Sequence, residues 1–153
     1  MIGGQMILKR RYDNINWDNN KKKIIDWWIN QKFNILSSEH DKIIGYRGSL
    51  LGNLFSFNMG KLKTKIQIEK NNENGFELIM EVTTIFQFMT KTNIEFWDLE
   101  LKTFKEYINS GGLLEEEWSK YEKKRKRNNF FWVISFVLIL LGIDFILKYI
   151  LSR

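Results

Sequence analysis

Cysteine and proline are both absent from the 153 residues, and histidine occurs once. Without cysteine there is no disulfide scaffold and no thiolate zinc site, a pattern that fits a reducing compartment. Average proline usage of about 5% would supply several residues, so proline-rich linkers and SH3-type ligands are excluded as well. The opening stretch MIGGQMILKRRYDN has no apolar run of about 7–15 residues and reads as lacking a cleavable signal peptide. Isoleucine after Met1 also breaks the myristoylation pattern.

The first 119 residues lack an excess of charge of either sign, since 16 Lys+Arg balance 16 Asp+Glu. The whole net charge of +6 lies in residues 120–153, where eight cations face only Glu122 and Asp144. A phosphate backbone requires a basic footprint on the domain itself. No nucleic-acid partner is therefore expected.

What the tail does hold is a long apolar run. From Phe130 to Leu151 there are 22 residues, broken only by Ser135, Asp144 and Lys148. A hydrocarbon core of about 30 Å needs on the order of 20 residues at 1.5 Å each. A buried helix of a small domain would keep a polar stripe; this run is apolar all round as far as Gly142. Trp132 and Tyr149 sit near its two ends, where amphipathic rings favour the membrane interface. The expectation is a transmembrane helix over 130–151.

Six cations precede it: Lys120, Lys123, Lys124, Arg125, Lys126 and Arg127. By the positive-inside rule they place the front domain in the cytoplasm. They would also attract anionic lipid headgroups, at about 1 kcal/mol per cation. The topology resembles that of C-tail-anchored proteins, a class with no common activity. Within the span, Asp144 and Lys148 stand four apart on one face. They read as a local ion pair or as a polar contact to another transmembrane helix.

In the front domain, QMILKRRY suggests a short strand. NWDNNKKKIIDWWINQKF suggests a helix with Asn16 as N-cap and Asp18 in its first turn. Its expected apolar stripe is Ile24, Ile25, Trp28 and Ile29, with Trp17 a turn back and Lys21, Lys22 and Lys23 in water. FNILSS, KIIGYRGSLL and KLKTKIQIE read as strands. In the last of these Leu62, Thr64, Ile66 and Ile68 alternate with Lys61, Lys63, Lys65 and Gln67. NNENG signals a hairpin, after which Phe76, Leu78, Met80 and Val82 should face inward, with Glu77 and Glu81 outward. Cross-strand Lys–Glu pairs follow.

TNIEFWDLELKTFKEYINSGG is the clearest helix. Thr92 with Glu95 forms a capping box, Ile94, Trp97, Leu101, Phe104 and Ile108 form its stripe, and Gly111 and Gly112 end it. LLEEEWSKYEKKRKR should begin another helix, acid first and base last, in keeping with the helix dipole. Together these elements predict an α+β fold: an antiparallel sheet of about four or five strands with helices packed on one face, followed by one transmembrane helix. The expected domains are 1–112, a charged juxtamembrane helix over 113–129, and the anchor over 130–151.

Chemistry is sparse. His40, in SSEHDK, reads as an exposed turn, and no G-x-S-x-G elbow accompanies any serine of the domain. Gly45, Gly48 and Gly52 match neither phosphate-loop pattern and are expected to be structural. Arg47 is the residue in that stretch to test against an anionic ligand. Glu95, Asp98, Glu100 and Glu106 are expected around an exposed helix face. No catalytic residue, metal ligand or cofactor is assigned. The reading is a tail-anchored binding or adaptor module. One alternative is a membrane-tethered domain for a lipid or small apolar ligand, held against Trp97, Leu101 and Phe104. The other is an accessory subunit of a larger membrane complex, docking through Asp144.

Overall fold

The computed structural model describes residues 3–49, 59–71, 74–85, 91–127 and 130. They divide into two compact units, with the boundary after Leu114. The first unit contains β1 (Gly3–Asp13), α1 (Trp17–Asn30), β2 (Asn34–Ser38), β3 (Lys42–Arg47), a 3-10 turn (Met59–Lys61), β4 (Lys63–Asn71), β5 (Gly75–Ile85) and α2 (Lys91–Ser110). The second begins with α3, over 115–127. The fold is α+β, with one five-stranded antiparallel sheet and three helices among the described residues.

The sheet order is β1-β5-β4-β3-β2. Strands β2 to β5 form a simple meander, and β1 closes the far edge by pairing with β5, from Gly3↔Ile85 to Asp13↔Gly75. The chain therefore leaves one edge after β1 and re-enters at the other with β2. Helix α1 makes that crossing.

Period-two burial follows from the pleat. Thr64, Ile66 and Ile68 of β4 and Phe76, Leu78, Met80 and Val82 of β5 are buried, as their alternation predicts. The opposite face carries the expected Lys–Glu pairs: Lys42–Glu69 at 2.7 Å, Lys9–Glu77 at 2.9 Å and Lys65–Glu81 at 3.8 Å. The Lys42 ammonium also holds the Glu69 carboxyl below its usual range. Strand β4 starts at Lys63, because Met59–Lys61 form a 3-10 turn closed by Leu62 N–H donating to Met59 O.

Both α1 and α2 pack on the apolar face. Phe104 of α2 meets Tyr12 of β1 and Phe76 of β5, and Trp17 of α1 meets Phe76 (ring centroids 5.4, 6.0 and 5.9 Å). Asn16 caps α1 by accepting a hydrogen bond from Asn19 N–H at 2.9 Å. The buried side chains of α1 are Trp17, Ile24, Trp27 and Trp28. The buried stripe is turned slightly from the expected one: Trp27 replaces Ile29, which is 50% exposed. Trp27 is drawn in by α2, whose Phe104 and Tyr107 rings lie 6.1 and 5.0 Å away. Of the three lysines expected in water, Lys23 instead donates to Ile108 O at 2.9 Å and sits over the Tyr107 ring. It neutralises a carbonyl at the negative end of α2. Lys21 likewise donates to Glu39 O.

Helix α2 starts at Lys91, so Thr92 lies inside its first turn rather than at the cap. Its end is as expected. Gly111 adopts φ +76°, open to glycine at no steric cost, and its N–H donates to Tyr107 O.

Candidate functional site

The most polar buried feature lies under α2. Arg47 ends β3 on the core face, where the register sets it beside Thr64. Glu100 sits in mid-α2, one turn from Trp97 and Phe104. Arg47 Nη1 donates to Glu100 Oε1 at 2.6 Å and Nη2 to Oε2 at 2.9 Å, a bidentate pair. Nη1 also donates to Gln31 O at 3.1 Å, while the Phe33 and Phe96 rings lie 4.4 and 5.9 Å from the guanidinium carbon. The two side chains are 5% and 1% exposed.

Two expectations are corrected here. Glu100 is not on an exposed helix face, and Arg47 is not open to an anionic ligand, because its charge is already met by a carboxylate. The sequence did contain a signal. At 100° per residue Glu100 falls beside the Trp97–Leu101–Phe104 stripe, whereas Glu106 falls opposite. The neighbouring glycines are structural. A Cβ on Gly45 would press on Ile35 and Ile66, and Gly48 has φ +73° with the Lys61 and Leu62 carbonyls against it. Gly52 lies outside the described residues.

The face of α2 proposed for an apolar ligand is packed with protein. Trp97, Leu101 and Phe104 are 0%, 3% and 0% exposed. Rings of Trp28, Tyr12, Phe76 and Trp27 surround Phe104 at 5.1 to 6.1 Å. The indole N–H groups of Trp27, Trp28 and Trp97 are buried without a hydrogen-bond partner among the described residues.

Tyr12 Oη donates to Leu101 O at 3.4 Å. Burial pushes its phenol well above the ordinary value of 10, with Arg10 pulling weakly the other way. The stabilisation linked to the neutral phenol is complete below pH 10 and is lost as pH rises from there toward the folded value. Urea unfolding between about pH 9 and 11 should therefore show falling stability, and Tyr12→Phe should flatten that slope.

A polar cleft of about 460 Å³ opens at one end of the sheet, between the N-terminus of α1, the β2–β3 turn and the β4–β5 hairpin. Lys70 Nζ lies 3.1 Å from Asp18 and 4.0 Å from Asp41. Trp17 Nε1 donates to the His40 carbonyl at 2.8 Å, fixing the turn to the helix. The His40 side chain is 82% exposed, as its turn position suggests, and 3.7 Å from Asp41. The ammonium is shared by two carboxylates of its own chain, and among the described residues no hydroxyl or thiol side chain lines the cleft. Among the described residues no three His, Asp or Glu come together to hold a metal ion.

On α3, acid leads and base follows as expected. Lys120 pairs with Glu116 at 2.6 Å and Arg125 with Glu122 at 2.7 Å. Lys120, Lys123, Lys126 and Arg127 are exposed. Helical spacing puts Lys120, Lys123, Lys124 and Arg127 on one stripe. Among the described residues no helix is long and apolar enough to cross a membrane. The expected span, including Asp144 and Lys148, lies outside the described residues beyond Phe130.

Neither a protein family, nor a curated protein, nor a solved structure matches the chain.

Proposed function

We propose that this protein is a membrane-anchored binding module, its α+β domain held on the cytoplasmic face by a transmembrane helix over residues 130–151. The observation that carries the reading is the segregation of charge and hydrophobicity. A charge-neutral domain gives way to six cations between Lys120 and Arg127, and these directly precede a 22-residue apolar run. The cation stripe of α3 supports it, since such a stripe suits the phosphates of anionic headgroups. The mechanism is confinement, which raises the effective concentration of the domain toward a partner at the same surface.

Packing around Phe104 favours recognition on the outside of the domain over an apolar ligand between sheet and helix. A second reading rests on Asp144, a carboxylate at a depth where charges commonly contact another helix. If the chain is an accessory subunit, Asp144→Leu should release its partner on co-purification.

The test is carbonate extraction with protease protection of the full-length chain beside a form ending at Ser119. The proposal expects only the full-length chain in the membrane pellet, with its domain digested from the cytoplasmic side. Full-length protein in the supernatant would overturn it.

A further inference from the structure

The two edges of the sheet are unlike. Strand β2 has five residues and a register shift between Ile35 and Ser37, features that discourage further pairing. Strand β1 has 11 residues and a continuous register with β5, and its other side has no strand partner among the described residues. Its charges are confined to one half. Lys9, Arg10 and Arg11 are each engaged by carboxylates of their own chain: Glu77 at 2.9 Å, Asp98 at 2.7 Å and Asp13 at 2.7 Å. Residues 3–8 carry no charge, and Ile7, near the middle of the strand, is 60% exposed.

We propose that β1 pairs antiparallel with β1 of a second copy about a two-fold axis at Ile7, joining two five-stranded sheets into one. In that register Ile7 meets Ile7, Met6 meets Leu8, Gln5 meets Lys9, Gly4 meets Arg10 and Gly3 meets Arg11. Every cation then faces an uncharged residue, whereas an axis at Lys9 or Arg10 would oppose like charges. Core-face residues meet core-face residues, so both faces of the sheet continue across the axis. The contact is self-complementary, as a two-fold interface requires. The same charges disfavour an acidic foreign strand, because the cations that would attract it already hold carboxylates. The proposal does not depend on the membrane reading.

The absence of cysteine makes a direct test available. The full-length chain is purified in detergent micelles as wild type, Ile7→Cys, Lys9→Cys and Ile7→Lys. Directly paired residues have Cα atoms about 4.5–5.5 Å apart, within disulfide reach. In the proposed register two residues at position 9 are about 13 Å apart. The expected results are a dimeric wild type by light scattering and a covalent dimer on mild oxidation of Ile7→Cys but not Lys9→Cys. Ile7→Lys should be a monomer with an unchanged far-UV spectrum. A monomeric wild type, equal cross-linking at both positions, or a link from position 7 to a different polypeptide would each overturn the self-pairing.

Discussion

Replacing Glu100 with glutamine is expected to lower the unfolding free energy by about 3–5 kcal/mol, which is a large part of the total for a domain this size. The cost does not come from the strength of the ion pair as such. Removing two charges from water is expensive, and the bidentate geometry with Arg47 compensates because both oxygens and both terminal nitrogens are used. In Glu100→Gln the guanidinium stays in the core between the Phe33 and Phe96 rings with no opposing charge. Arg47→Met with Glu100→Leu removes both charges and keeps apolar volume, and it should recover most of the loss. Urea unfolding followed by tryptophan fluorescence gives both numbers, and the single variants Arg47→Met and Glu100→Leu close the cycle that isolates the pair. A loss below about 1 kcal/mol for Glu100→Gln would mean that the pair is solvated.

Phe104→Ala is the second large effect, with an expected cost of about 3–5 kcal/mol. Phe104 is fully buried and touches rings from β1, β5 and α1, so its removal leaves a void lined by Tyr12, Trp27, Trp28 and Phe76. Those large rings cannot collapse into the space without leaving their own rotamers. The same variant tests the apolar-ligand reading. If the α2 face served a ligand, Phe104→Ala would lose little stability and change the bound species instead. If it is core, stability falls, and a small apolar probe such as benzene should restore part of it by filling the void.

The elements whose sequence pattern is local were legible. Strands β4 and β5 alternate because one face meets the core and the other meets water, and that alternation survives in any register that buries the same face. Helix α2 announced itself through an unbroken stripe and a terminal glycine pair. Only QMILKRRY of β1 is legible as a strand, since an edge strand keeps polar groups on both faces and shows no clean period. Its true length, Gly3–Asp13, comes from an 11-residue partner in β5. The α1 stripe is less legible, because Trp27 and Ile29 are both large apolar side chains and only the direction of α2 decides which is covered.

The candidate site was less legible, and for a different reason. The exposed turn of His40 and the shared buried face of Trp97, Leu101 and Phe104 are legible from local pattern. In the sequence Arg47 stands out only as the residue to test against an anionic ligand, and Glu100 only as one of several acids around an exposed helix face. They are 53 residues apart, and no periodicity links a strand end to a mid-helix position across that distance. By itself, then, the sequence determined the alternating faces of β4 and β5, the apolar stripe and glycine end of α2, the Asn16 cap of α1, and the placing of all its net charge beside one apolar run. These depend on the order of neighbouring side chains alone. The tertiary structure decided the pairing of β1 with β5, the inward turn of Trp27, the capping of α2 by Lys23 and the burial of Arg47 with Glu100. Each of these joins residues that chain topology brings together, and which charge or ring is covered is settled only when the facing element arrives.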